Sequence, residues 1–258
     1  MAENGCRGEL SAARVPAAQR LLECRIMSEE QPVQVHSPQK FDAYADQYRS
    51  LMDTSIQDSG ESAEYFAEYK LKCLLRLAAP TNEPIVDFGA GTGSLTEQLV
   101  REYRSVWAYE PSAASLEHTR RRAAAAVCTS VETDLPSGHF STAVCSGVLH
   151  HVPPPERTAL LSRLRAKLRP GGRLFVFEHN PLNPLTRRAV AMCPFDDDAV
   201  LLWPWQLRPL FRSAGFSVER VDYIVFFPRI LAKLRPLEPH LRRVALGAQT
   251  LSIVSNPG

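Results

Sequence analysis

The chain has 258 residues, which at roughly 150 residues per domain sets an expectation of one domain with embellishments. Apolar residues are 45% of it and charged residues 22%, an ordinary globular composition that excludes collagen, coiled coil and wholesale disorder. Thirty basic and 28 acidic side chains leave a net charge of +2, so the chain as a whole has no electrostatic reason to bind nucleic acid or an acidic membrane, and no apolar run reaches the ~20 residues that span a bilayer. The cysteines (Cys6, Cys24, Cys73, Cys128, Cys145 and Cys193) form no CxxC pair and no Cys/His group at zinc spacing. With no basic flank and apolar stretch of a secretory signal, a reducing, cytoplasmic setting without disulfides is expected.

Residues 1–40 are polar, Ala-rich and unpatterned, and are expected to be a flexible N-terminal extension to a domain over 41–258. The polar run Ser28–Pro32 after Met27 reads as a natural beginning, so residues 1–26 are expected to be an upstream extension. Phe41–Tyr48 has helical spacing. Glu61–Leu77 predicts a stronger helix with Phe66, Tyr69, Cys73, Leu74 and Leu77 on one face, stopped by Pro80. Short apolar runs then alternate with helices. The spacing predicts strand Pro84–Phe88, helix Ser94–Tyr103 with Ser94 and Glu97 at capping-box spacing, strand Val106–Tyr109, helix Ser112–Ala126, a short strand near Val127–Val131 and strand Thr142–Ser146. Helix Pro155–Leu168 should end at Pro170-Gly171-Gly172 and lead into strand Arg173–Glu178. Helix Leu207–Ala214 is closed by Gly215, and Ser217–Phe227 and Gln249–Val254 complete the strands. Such alternation predicts a mostly parallel sheet covered by helices on both faces. Residues 179–206 and 228–248 are longer than the connections need and rich in apolar and aromatic residues, which marks them as insertions with a function.

The most informative stretch is Ile85-Val86-Asp87-Phe88-Gly89-Ala90-Gly91-Thr92-Gly93-Ser94-Leu95. A strand runs into alternate glycines and then a helix, so bare main chain can approach a ligand and the helix N-terminus can offer N–H groups to an anion. Glu110, at the tip of the next strand, is placed to accept both ribose hydroxyls of a nucleoside. The alternative is a tight structural turn and an ordinary surface acid. A dinucleotide loop needs Gly or Ala at position 94; here it is Ser94, while Asp87 suits a cationic ligand.

These residues resemble the class I S-adenosylmethionine-dependent methyltransferases of the small-molecule type, whose first motif reads acid-x-Gly-x-Gly-x-Gly. Leu135-Pro136, Phe140, Thr142–Gly147 and Val148-Leu149-His150-His151-Val152 resemble the family's fourth-strand region, and Leu168-Arg169-Pro170-Gly171-Gly172 its turn before the fifth strand. The likeness covers about residues 41–227. It implies an α/β, Rossmann-like, seven-stranded, mostly parallel sheet with helices on both faces and the last strand antiparallel, and S-adenosyl-L-methionine as cofactor. It implies cofactor contacts from Asp87, Gly89, Ala90, Gly91 and Gly93, from Glu110 and Pro111, from Ser146, Gly147 and Val148, and from Tyr44, Tyr48 and Lys70 on an N-terminal helical cap. The acid that receives the adenine amino group would fall at Val131; a shift of one residue brings in Glu132, with Asp134 a second choice. Ser141 stands where the family usually has Asp.

Methyl transfer from a sulfonium is an in-line displacement, in which alignment alone supplies roughly 7–11 kcal/mol and a base a further ~10²–10⁴-fold. His150 and His151 after the fourth strand, and Glu178 and His179 after the fifth, lie on the loops that build such a site and are the candidate catalytic groups. The alternative for the histidines is shaping the loop; for Tyr44 and Tyr48, packing; for Lys70, a solvated helix face. No metal is expected, because no acid/His cluster stands at ligand spacing in the sequence. The expected substrate is a small molecule methylated on oxygen, nitrogen or carbon, with neither nucleic acid nor membrane as partner and self-association left open. The rivals are a cyclase or binding module on the same fold, an NAD-type oxidoreductase, and an enzyme that modifies protein or RNA.

Overall fold

The computed structural model describes residues 38–258; the expectations for residues 1–37, and Cys6 and Cys24 with them, lie outside the described residues. Seven strands form one sheet: β1 (Ile85–Phe88), β2 (Val106–Tyr109), β3 (Val127–Thr129), β4 (Phe140–Ser146), β5 (Leu168–His179), β6 (Ser217–Ile224) and β7 (Gln249–Ser255). Their order is β3-β2-β1-β4-β5-β7-β6. The first five run parallel, and β7 is antiparallel to both β5 and β6. This is the Rossmann-like sheet that the β-α alternation predicts.

Burial on both faces explains the near-continuous apolar runs in the strands. Val86, Phe88, Leu174 and Val176 face one core, closed by Leu160, Leu161 and Leu164 of helix α6 (Arg157–Lys167) and by Leu207 and Phe211 of helix α8 (Pro204–Ser213). Ile85, Val144, Phe175 and Phe177 point the other way, under Leu71 and Leu74 of helix α3 (Ala63–Leu77) and Leu95 and Leu99 of helix α4 (Ser94–Glu102). Helix α5 (Ala113–Arg122) joins β2 to β3 and is capped by Ser112, whose Oγ accepts the Ser115 N–H.

The N-terminal segment departs from the predicted single helix. Helix α1 (Pro38–Tyr44) begins inside the stretch expected to be unpatterned, a turn at 45–47 breaks it, and helix α2 (Tyr48–Ser55) follows. Asp42 explains where α1 docks: its Oδ1 accepts from Ser112 Oγ (2.6 Å) and from the Ala114 N–H (3.0 Å) at the start of α5. Pro170-Gly171-Gly172 was expected to separate helix from strand. It instead lies within β5 as an irregularity, where the pairing with β4 skips from Phe140–Leu168 to Thr142–Arg173.

Both insertions carry structure. Residues 179–206 contain helix α7 (Pro184–Met192) and a 3₁₀ turn (Pro194–Asp196), and residues 228–248 contain a kinked 3₁₀ segment (Arg229–Leu237) and helix α9 (Glu238–Leu241). The second insertion is tied down by one buried carboxylate. Glu238 Oε1 accepts the N–H groups of Phe226 (2.9 Å) and Phe227 (3.1 Å), and Oε2 accepts the Tyr69 hydroxyl (2.6 Å). Next to them Val225 is held in the left-handed region (φ 58), a conformation unfavourable for a β-branched residue. Glu238→Ala would strand three donors, so a loss of about 2–4 kcal/mol in denaturant unfolding is expected. A loss below about 0.5 kcal/mol would show that the carboxylate is not the anchor.

Candidate active site

The strand order reverses between β1 and β4, and the loops leaving their carboxyl ends diverge there, which opens a crevice. A solvent-open cavity fills it, lined by the glycine loop on one side and by Tyr48, Met52, Phe66 and Lys70 of α2 and α3 on the other.

The three loop glycines answer to different constraints. Gly89 (φ 81) and Gly93 (φ 83) are packing positions: a Cβ would lie 2.4 Å from Val148 Cγ2 and 2.8 Å from Thr119 Cα respectively. Gly91 (φ 56) lines the cavity, and a Cβ there would meet nothing within 4 Å. The predicted capping box does not form. Gly93 takes the N-cap in a left-handed conformation, Ser94 becomes the first helical residue, and its Oγ accepts from Arg122 (2.9 Å).

The polar residues around the loop are buried. Asp87 accepts the Thr96 hydroxyl (2.7 Å); burial lifts its pKa to about 6 against that bond and the charge of Lys70. Lys70 reaches across from α3 to donate to Ser146 Oγ (2.8 Å), and burial pulls it down to about 8. Glu110 accepts the N–H groups of Gly91 (2.8 Å) and Ser112 (2.9 Å), and burial raises it to about 7 in spite of them. Its carboxylate therefore braces the glycine loop and does not line the cavity, whereas the sequence places it on a sugar.

The far end of the cavity holds the histidines. His150 Nδ1 lies 2.7 Å from Glu178 Oε2, and Glu178 Oε1 accepts the N–H groups of Val148 (3.2 Å) and Leu149 (2.8 Å). The Nε2 atoms of His150 and His151 both approach Asp196 Oδ1, at 3.7 and 3.2 Å. Burial opposes charge on His150, but Glu178 and Asp196 outweigh it and raise the ring to about 9. Asp196 is driven well below the carboxylate range, its own burial overcome by the two histidines beside it. His179 sits 4.9 Å from His150, ring to ring; burial and then the charge on His150 push it down to about 4, so it is neutral near pH 7. The same two causes lower His151.

Of the residues singled out from the sequence, the structure brings Tyr48, Lys70, Asp87, Gly89, Ala90, Gly91, Ser146, Gly147, His150, His151, Glu178 and His179 to this one cavity. Tyr44, Gly93, Glu110, Pro111, Glu132 and Val148 do not line it. Tyr44 tilts against Phe195, and Val148 packs on Gly89. Glu132 is held by Arg163 of α6 (2.9 and 3.2 Å), a cation 31 residues away along the chain. One expectation needs correcting. An acid/His cluster does form, because the first insertion carries Asp196 onto His150 and His151. That insertion also supplies Phe195, stacked on Tyr48 at 4.6 Å; the unusual length of 179–206 was the signal that could have found both.

Comparison with known proteins agrees with this architecture. The sequence profile of a family described as methyltransferase domain matches residues 62–221. An uncharacterised methyltransferase of Anoxybacillus flavithermus is 24% identical over 142 residues, 54% of this chain and 56% of that protein, so the chain spans about half the length of this curated relative. Among solved structures, an S-adenosylmethionine-dependent methyltransferase of Thermotoga maritima aligns with a TM-score of 0.61 at 18% identity, over 86% of this chain and 100% of the other. The [4+2]-cyclase SpnF aligns at 0.54 with 15% identity, over 76% and 82%. These likenesses show a shared fold, and among the described residues no helix is long and apolar enough to cross a membrane. With 160 consecutive residues under the profile, the chain belongs to the methyltransferase domain family.

Proposed function

We propose that this protein transfers a methyl group from S-adenosylmethionine to a small molecule through an oxygen or nitrogen that gives up a proton. The observation that carries the reading is the pairing, in one cavity, of the open wall at Gly91 with a buried group of three imidazoles and two carboxylates. The residues fit the cofactor. Gly91 leaves room against the main chain, Asp87 favours positive charge, and the Lys70 ammonium suits a carboxylate. When bound, S-adenosylmethionine supplies a methyl group on a positive sulfur.

The chain's own residues do the rest. Tyr48, Phe66 and Phe195 give the cavity an apolar wall beside the reacting atoms. His179 borders both this cavity and an adjoining one lined by Leu185, Phe226 and Phe227. An acceptor with an apolar body enters there and presents its nucleophile to the neutral imidazole, which takes the proton.

Calorimetry with S-adenosylhomocysteine and NAD, followed by mass spectrometry of a metabolite extract given methyl-labelled cofactor, tests the reading. Binding of the former alone and a labelled small-molecule product are expected. Cofactor bound without label in any product would favour a cyclase or binding module.

Cofactor affinity is expected to rise between about pH 5.5 and 7.5, as Asp87 (about 6) and Glu110 (about 7) ionise. The ligand-free fold responds with the opposite sign to Glu110. Its folded pKa lies above the unfolded one, so the folded chain binds more protons between about pH 4.5 and 7, and this stability is lost as pH rises through that window. The difference between the Tm–pH curves of the wild type and Glu110→Gln isolates the effect; parallel curves would refute it.

A further inference from the structure

We propose that His150, His151 and Asp196 bind one divalent first-row transition-metal ion at the acceptor end of the cavity. Each offers one donor atom, all three residues are buried, and the donors lie within 4.8 Å of one another. Donors bonded to a single ion at about 2.0–2.1 Å stand about 3.0–3.4 Å apart. His151 Nε2 and Asp196 Oδ1 are already at 3.2 Å and His150 Nε2 is 3.7 Å from the same oxygen, so the three donors, which lie within 4.8 Å of one another, must draw together around an ion. Asp196 Oδ1 is buried, and the imidazole nitrogens beside it, at 3.2 and 3.7 Å, make no well-formed hydrogen bond to it. That is costly for a carboxylate oxygen unless a cation completes it.

The surroundings are those of a metal centre. Glu178 fixes Nδ1 of His150 and is itself fixed by two main-chain N–H groups, which aims Nε2 toward Asp196, where a bound ion would take the place of the Nε2 proton. A carboxylate behind a ligating histidine sets its tautomer and raises its basicity in this way. Phe41 meets His151 edge-on at 5.1 Å, giving the cluster an apolar flank. Two imidazoles and a carboxylate suit zinc, manganese or iron(II), and not magnesium or calcium, which take oxygen donors.

All three residues line the cavity, so an ion held by them keeps at least one position open to an acceptor. The role that follows rests on the methyl-transfer reading; the ligand set does not. The ion lowers the pKa of an acceptor hydroxyl, whose O–H bond breaks with the proton passing to His179. The oxygen's electron pair then bonds the methyl carbon as the carbon–sulfur bond breaks onto sulfur, leaving a neutral thioether.

The full chain, stripped with EDTA, is titrated with Zn²⁺ in a calorimeter and separately with S-adenosylhomocysteine. One equivalent of zinc at micromolar affinity or tighter is expected. Asp196→Asn and His151→Gln should weaken it by at least about 100-fold, Glu178→Gln by about 10–100-fold, and His240→Ala, at an exposed histidine, not at all. X-ray absorption of the zinc-loaded wild type, which needs no variant to fold, should show imidazole nitrogen and carboxylate oxygen at about 2.0–2.2 Å. The proposal is overturned by no zinc binding at about 100 µM, by binding indifferent to Asp196→Asn and His151→Gln, or by sulfur among the ligands. Zinc binding with no S-adenosylhomocysteine binding would keep the metal site and remove the methyl-transfer reading.

Discussion

Gly91→Ala is expected to cut S-adenosylhomocysteine affinity by about 10²-fold while leaving the protein folded. A left-handed alanine costs about 1–2 kcal/mol, and since a Cβ at 91 meets nothing within 4 Å, no clash adds to that. The new methyl instead occupies the space where a ligand would touch main chain. Gly89→Ala and Gly93→Ala should behave differently, because there the Cβ strikes Val148 Cγ2 and the main chain of α5. Both should lower Tm strongly before any question of binding arises. Calorimetry and thermal melts of the three variants separate the roles. Unchanged affinity in a folded Gly91→Ala would remove the glycine loop from cofactor binding.

The second large effect belongs to His179. His179→Ala is expected to lower kcat by about 10²–10⁴-fold with S-adenosylhomocysteine affinity unchanged within about twofold. Because the ring stays neutral down to about pH 4, it should impose no acid limb of its own above that pH. A loss of activity in the wild type below about pH 7 should follow Glu110 and Asp87, and should appear in kcat/KM for the cofactor and not in kcat at saturation. Full turnover in His179→Ala would exclude it as the proton acceptor.

What the sequence revealed divides along physical lines. The sheet was legible because strands covered on both faces are largely apolar, and Ile85–Phe88, interrupted only by Asp87, Val106–Tyr109 and Thr142–Ser146 are short, mostly apolar runs between helices. The glycine loop was legible because all three glycines take a positive φ, and at Gly89 and Gly93 close contacts leave no room for a Cβ. Local features overruled by neighbours were not. Ser94 has the spacing of a cap, but the chain must already be left-handed at Gly93, which takes the cap position first. Glu132 has the right residue type beside the right strand, yet Arg163, distant in sequence, claims it. Asp196 was invisible for the same reason in reverse. Its meaning comes from His150 and His151, and only the folding of the first insertion back over β4 and β5 unites them.

The place of β7 between β5 and β6 sets an order of assembly. During synthesis β6 leaves the ribosome before the strand that will be its neighbour, so half of the sheet can form around β1 while β5 and β6 still expose bare edges. A nascent chain halted before Gln249 should be captured by chaperones or should associate through those edges, and release of the next few residues should suppress both.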